Sequence, residues 1–154
     1  MAHGLPDYYR GVDIAYQALS EMINRPKYGA AQKVSGNVVV GAYQETTLFS
    51  VSGKGVTYSG IVFCDHTSTR EGLGTNLYVD DEPCAGQSFA YLNQWGAKKE
   101  RSYPFYLLAY DNTNFIYCVA LARGITFEES FKIAIYNGYI TSCVVGYDVQ
   151  YALI

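Results

Sequence analysis

The sequence is short of charge. Only 16% of its 154 residues are Asp, Glu, Lys or Arg, against roughly 25% in an average soluble domain, and the formal net charge at pH 7 is -3. A nucleic-acid binder carries a basic patch, yet the one basic cluster here, at residues 98–101, is interrupted by Glu100. A nucleic-acid partner is therefore not expected. A surface with so little charge is suited to contact with other proteins.

Long apolar runs are also missing. No stretch approaches about 18 uninterrupted apolar residues, the length that a membrane-spanning helix needs. Residues 1–7 lack both the charged and the apolar region of a signal peptide. We therefore expect a chain that is made in the cytoplasm, without a signal peptide and without a membrane partner.

Histidine and cysteine are scarce, which removes most catalytic and metal-binding chemistry. His66, in a polar loop beside Asp65, is the only plausible general base, and it has no second histidine at the spacing of metal ligands. A triad with Ser68 is unfavourable because neighbours in one loop rarely reach the required geometry. The cysteines are widely spaced, form no CxxC motif and are expected to be free thiols: Cys64, Cys84, Cys118 and Cys143. We predict no catalytic residues, no metal and no cofactor.

Two further patterns predict turns. The acidic run at residues 80–82 lacks the alternate spacing and the glycine of a calcium-binding loop. The glycines at 53–55 and 72–74 do not complete a phosphate- or dinucleotide-binding motif.

From residue 34 onward the chain alternates between strand patterns and turn signals. Strands are predicted at 34–41, 46–51, 56–64, 75–79, 104–110, 115–122, 130–136, 139–145 and, after a kink at Gly146, 147–154. A short helix is predicted at 87–95. The glycine turn at 52–55, the segment 111–114 and the pair Asn137–Gly138 each predict a hairpin. The pattern is typical of an antiparallel β-sandwich of about eight strands at residues 34–154, of the jelly-roll type, with a closed barrel as the alternative.

Residues 1–33 are predicted to form an N-terminal helical arm. The segment "GVDIAYQALSEMI" at 11–23 carries apolar residues at spacings of four, three and four, which is one stripe of a helix. An isolated helix of this length is marginal in water, so it needs a surface to lie on. The chain has 16 tyrosines, a residue type enriched in interfaces, and the arm has little core of its own. The predicted protein-interface residues are Tyr8, Tyr9, Val12, Tyr16, Leu19, Ile23 and Tyr28.

The N-terminal segment "GLPDYYRGVDIAYQALSEMINRPKYGAA", followed by a β-domain whose final section reads "PFYLLAYDNTNFIYCVALARGITFEESFKIAIYNG", resembles small jelly-roll structural proteins of tailed bacteriophages in its layout. Such proteins decorate heads or join fibre and baseplate parts. The resemblance implies a non-enzymatic virion protein, a homo-oligomer (trimer or higher) that docks on other virion proteins through its arm. It implies no catalytic residues.

Other interpretations remain open. The arm could instead fold back on its own sandwich. A glycan-binding module on a virion or cell surface would use the polar loop at 65–74, with His66, and an exposed Trp95 as a stacking platform. A small hydrolase would need a pocket around His66 with a second acid or base from a distant strand.

Overall fold

The structure, a computed structural model, describes Tyr16 and residues 28–100 and 103–154. Tyr16 lies in a helix, and the remaining described residues form ten strands and one short helix. The strands are β1 (Gln32–Val40), β2 (Glu45–Ser52), β3 (Gly55–Asp65), β4 (Gly74–Val79), β5 (Glu82–Ser88), β6 (Phe105–Asp111), β7 (Ile116–Leu121), β8 (Ile125–Phe127), β9 (Ser130–Tyr136) and β10 (Cys143–Leu153). The short helix α1 is Phe89–Gln94. No helix in the described part of the chain is long and apolar enough to cross a membrane.

The strands form two antiparallel sheets. The larger sheet has the order β1-β10-β3-β7-β6, with β8 also paired to β3, and the smaller sheet has the order β2-β9-β4-β5. The two sheets pack face to face, so the predicted antiparallel β-sandwich is confirmed, with ten strands in place of about eight.

The core lies between the two sheets and follows from the alternation of side chains along each strand. In β9, Phe131, Ile133 and Ile135 are fully buried, whereas on the opposite face Lys132 is half-buried and Tyr136 is exposed. The facing residues of the larger sheet come mainly from its central strands β3, β7 and β10. They include Val62, Cys64, Tyr117, Val119, Val145 and Val149.

The hairpin predicted from the glycine turn between β2 and β3 is wrong. β2 pairs with β9 in the smaller sheet, whereas β3 pairs with β10, β7 and β8 in the larger one. Gly53 adopts a φ of +115°, and its N–H donates to the carbonyl of Glu129 at 2.7 Å. The turn therefore carries the chain from one layer to the other.

The hairpin predicted from Asn137–Gly138 is also wrong. Asn137 is fully buried, and its amide donates to the carbonyls of Gly41 (3.0 Å) and Thr141 (2.9 Å). Its side-chain oxygen accepts the N–H of Tyr139 at 3.0 Å. Because these bonds fix a crossover between the layers, β9 and β10 lie in different sheets. β10 begins at Cys143 and continues through Gly146 without the predicted break.

Two strands, β5 and β8, are not predicted by the sequence. β5 contains Pro83 and lies at the edge of the smaller sheet, where a missing N–H is tolerated. The acidic run supplies the turn before it, with Asp80 and Asp81 at φ values of +53° and +63°. The Asp80 carboxylate accepts backbone N–H bonds from Glu128, Glu129 and Ser130. These bonds, that from Glu129 foremost, lower the pKa of Asp80.

The predicted short helix is confirmed. The Ser88 hydroxyl caps its N-terminus by accepting the N–H of Tyr91, and Phe89 and Leu92 are buried. Gly96, at a φ of +66°, ends the helical segment. The ring of Phe89 stacks on that of Tyr117 with centroids 5.7 Å apart, which anchors α1 to the core.

Candidate functional site

Most of the predicted interface residues of the arm lie outside the described residues. These are Tyr8, Tyr9, Val12, Leu19 and Ile23. Tyr16 is helical and 74% exposed, so its ring is not covered by the sandwich of its own chain. Tyr28 is half-buried. The next residue, Gly29, is held against the sandwich by a 2.6 Å hydrogen bond from its N–H to the carbonyl of Leu153.

On the outer face of the larger sheet, four apolar side chains are exposed, and we call them the outer apolar patch: Val39, Phe63, Ile116 and Val144. Exposed Asp65, which pairs with Ile116, lies among them. Val39 (66% exposed) and Val144 (51% exposed) lie directly opposite each other on β1 and β10. The ring of Phe63 lies over Gly146, where a Cβ atom would overlap it. Exposed apolar side chains that adjoin one another mark interaction surfaces more often than scattered ones do.

The outer face of the smaller sheet carries a polar network instead. The Glu45 carboxylate accepts hydrogen bonds from the Asn76 amide and, at 2.9 Å, from the Tyr78 hydroxyl. Buried Ala134 lies on β9, between the strands that supply these side chains. The Lys132 ammonium lies 3.9 Å from the centroid of the Tyr78 ring. The hydrogen bond to Glu45, followed by burial, raises the pKa of Tyr78.

Trp95 belongs to an exposed aromatic cluster beside α1, which we define as Tyr91, Trp95 and Tyr103. Trp95 is 57% exposed, and its ring centroid lies 6.1 Å from that of Tyr91 and 6.3 Å from that of Tyr103, which meets it edge-on. The Tyr103 hydroxyl accepts the N–H of Gly86 at 3.0 Å. Through Gly86 the cluster adjoins an open cleft of about 280 Å³ lined by Asn76, Tyr78, Pro83, Cys84, Ala85 and Gly86.

His66 lies half-buried in the loop between β3 and β4, and the residues that it contacts do not belong to the aromatic cluster. Its Nδ1 is 3.1 Å from the Ser68 hydroxyl, and its Nε2 is 3.4 Å from the guanidinium of Arg70. Arg70 is only 3% exposed; it also donates to the Thr141 hydroxyl at 2.6 Å and to the Thr69 carbonyl at 3.1 Å. The structure therefore does not bring His66 and Trp95 together in one ligand site.

The sequence analysis did not predict the burial of Arg70 or the outer apolar patch. It also did not predict that Tyr91 and Tyr103 join Trp95 in the aromatic cluster. An arginine in a polar loop gives no sign of burial, whereas the consecutive apolar residues at 143–145 are a signal that β10 is apolar on both faces. Within the described ranges, no group of three or more His, Cys, Asp or Glu side chains could hold a metal ion.

No protein-family model matches the chain, and no curated protein matches it significantly. The fold and the surfaces define a coarser class, an antiparallel β-sandwich with exposed apolar and aromatic surfaces.

Proposed function

We propose that the chain is a non-enzymatic structural protein of a bacteriophage particle, a head decoration or a tail or fibre adaptor. It self-associates and docks on other virion proteins through its N-terminal arm. The observation that carries this proposal is the outer apolar patch, which the described part of the chain leaves exposed. The exposure of Tyr16, a residue of the predicted apolar stripe, supports the same conclusion.

The order of the strands supports a jelly-roll type for this sandwich. β1 pairs with β10, β2 with β9 and β4 with β5, so the pairs nest inside one another as in a rolled-up hairpin. Jelly rolls are common in viral capsid and lectin domains. Because one fold serves many functions, this nesting supports the setting of the proposal but not a role by itself.

The patch and the arm are chemically complementary. The patch offers aliphatic side chains and one aromatic ring, and the stripe of the arm, with Leu19 and Ile23, needs such a surface. We therefore propose that the patch of one copy receives the arm of a second copy. Each buried aliphatic side chain contributes roughly 1.5–3 kcal/mol before the cost of ordering the arm.

Light scattering on the full chain tests this proposal. We expect a discrete oligomer, and Val144→Asp should weaken its association at least about tenfold, the equivalent of one lost aliphatic contact. Leu19→Asp combined with Ile23→Asp should have a similar effect from the other side of the contact. Gln150→Asp is the matched control, because Gln150 is exposed on the same strand but outside the patch.

The sandwich of each variant is first checked by circular dichroism and thermal unfolding. A monomeric full chain, or an oligomer that tolerates both the Val144 and the arm variants, contradicts self-association through this contact.

A second candidate function, glycan recognition, is favoured by the exposure of Trp95. Exposed aromatic rings next to hydrogen-bonding groups are the chemistry by which proteins hold sugar rings, and the aromatic cluster adjoins the cleft that contains Asn76 and Tyr78. Function as a receptor-recognition module would place the same sandwich at the exterior of a virion or cell.

A glycan array probed with the full chain tests this candidate. Trp95→Ala should abolish any signal, whereas Tyr58→Ala, which alters an exposed tyrosine on the larger sheet, should leave it unchanged. An array without signal, or a signal that survives Trp95→Ala, contradicts glycan binding at the aromatic cluster.

A further inference from the structure

The end strands of the two sheets differ in how well they could pair with a further strand. They are β1 and β6 in the larger sheet and β2 and β5 in the smaller one. An end strand exposes a row of backbone N–H and C=O groups, and proteins prevent unwanted pairing there with bulges, prolines or covering segments. Three of these strands carry a bulge, a residue without a partner in the neighbouring strand: Leu48 in β2, Cys84 in β5 and Leu108 in β6.

Two of the bulged strands are protected further. β5 contains Pro83, which has no N–H to donate. In β6, the N–H of Leu107 donates to the carbonyl of Ala97 at 2.7 Å, so the segment after α1 occupies part of this edge. These edges are therefore poor templates for another strand.

β1 has none of these features. All of its residues, Gln32–Val40, pair with β10 in an unbroken register, and the strand contains no proline. Its one charged residue, Lys33, forms a 2.7 Å salt bridge with Asp148 on β10, so its charge is compensated. In the part of the chain that the structure describes, no backbone group outside β10 forms a hydrogen bond with the backbone of β1. β1 therefore presents a flat, regular edge for strand pairing.

The core is also open along this edge. Val34 and Val38 point inward from β1 and pack against the core, yet both are only half-buried. On the next strand, Val145 and Val149 of β10 are fully buried. Another strand beside β1 would remove the remaining apolar surface of Val34 and Val38 from water, which is favourable in proportion to the area covered.

We propose that β1 of one copy pairs antiparallel with β1 of a second copy, so that the larger sheets of the two copies form one continuous sheet. This inference rests on the self-association in the proposed function and adds a backbone contact to that between the arm and the patch. Gly36 is the middle residue of β1. A two-fold axis through Gly36 therefore engages the whole strand in both copies.

This register is self-complementary. On the inner face, Val34 lies opposite Val38 of the second copy, and β-branched pairs of this kind stabilise a sheet. On the outer face, Ser35 lies opposite Asn37 of the second copy, and both are exposed side chains that can hydrogen-bond to each other. The single charged residue of β1 does not lie opposite itself, so no like charges meet. A second copy thus fits this edge without a change in sequence.

A cysteine cross-link in the full chain tests the register. The background is Cys84→Ser, which removes the exposed native thiol, and a Ser35→Cys chain is coexpressed with an Asn37→Cys chain. Residues directly opposite in an antiparallel pair have Cα atoms roughly 4.5–5.5 Å apart, which a disulfide can bridge. Two copies of the same position lie on a diagonal, beyond the limit of about 7 Å.

We therefore expect the coexpressed pair, under mild oxidation, to form a disulfide between the two positions at least about tenfold faster than either variant alone. Ser50→Cys coexpressed with Asn37→Cys is the matched control, because Ser50 is exposed on β2, an end strand of the smaller sheet. The control should cross-link no faster than the single variants. Mass spectrometry maps the disulfide, and light scattering gives the association state of the reduced chains.

The outcomes separate this contact from that of the arm. An oligomer in which the Ser35 and Asn37 variants cross-link no faster than the Ser50 control overturns the pairing of β1 and leaves the arm contact standing. Rapid cross-linking in a chain whose oligomer tolerates both Val144→Asp and the arm variants supports the pairing of β1 and contradicts the arm contact. A monomeric full chain overturns both.

Discussion

The two outer faces of this sandwich differ in the side chains that they present to solvent. On the smaller sheet, the Glu45 carboxylate accepts hydrogen bonds from Asn76 and Tyr78 across buried Ala134. On the larger sheet, the outer apolar patch has no such cover within the described residues, and Val39 and Val144 stay more than half exposed. One face satisfies its own polar groups, whereas the other presents apolar area to a partner.

This difference bears on how the protein associates. A polar network that is already satisfied gains little from a partner, because each new hydrogen bond replaces an existing one. Apolar area gains in proportion to the surface removed from water. The larger sheet is therefore the association face in the proposed function, and the smaller sheet is the hydrated face.

The largest expected effect comes from breaking the joint between the two sheets. Asn137→Ala removes the amide that binds the carbonyls of Gly41 and Thr141 and the oxygen that accepts the Tyr139 N–H. Because buried backbone groups lose their partners, we expect a loss of about 2–4 kcal/mol in the free energy of unfolding. Urea unfolding measures this loss.

Asn37→Ala is the matched control, since Asn37 is exposed on the outer face of β1. It should change the free energy of unfolding by less than about 0.5 kcal/mol. Equal effects of the two variants would mean that the crossover does not join the sheets energetically.

The same crossover marks the limit of prediction from the sequence. Period-two patterns located most strands, and β9 was predicted to the residue, because burial of one face is written into the local sequence. The helix predicted at 87–95 begins two residues later in the structure, after β5, and ends one residue earlier. Turn chemistry, however, specifies how the chain reverses and not which sheet receives the next strand. Gly53 and Asn137 have the residue types of hairpin turns, yet both lie in connections between layers.

The candidate surfaces were predictable only in part. Phe89 and Leu92 occupy the apolar side of α1, which leaves Trp95 at the edge of the helix and exposed. The sequence predicts this position of Trp95. The burial of Arg70 depends on the adjacency of its loop to Thr141, a residue distant in sequence. No local pattern encodes that adjacency.

A smaller effect on stability is expected from substitution of one glycine on each outer face, and it allows the two faces to be compared. Gly146→Ala would place a methyl group against the ring of Phe63 in the outer apolar patch, whereas Gly74→Ala on the smaller sheet would meet Tyr136 only at an ordinary 3.8 Å. We expect the Gly146 variant to lose about 1–3 kcal/mol and the Gly74 variant less than 1 kcal/mol. Thermal unfolding compares them. A Gly146 variant as stable as the native chain would show that the Phe63 ring moves freely and that the patch has no fixed shape.

The smallest effect concerns the polar network itself. Glu45→Gln removes the charge that holds the Tyr78 proton, so the pKa of Tyr78 should fall toward its ordinary value. Because the folded-state pKa is raised, the network stabilises the native chain below the unfolded-state pKa near 10 and loses this contribution as pH rises through the folded-state value. An exposed network of this kind contributes at most about 1 kcal/mol.

NMR titration of ring-labelled tyrosines measures the pKa of Tyr78. Glu82→Gln, at an exposed carboxylate on β5, is the control. If Tyr78 titrates identically in the native chain and the Glu45 variant, the hydrogen bond to Glu45 does not hold the Tyr78 proton, and the contrast between the two faces loses its physical basis.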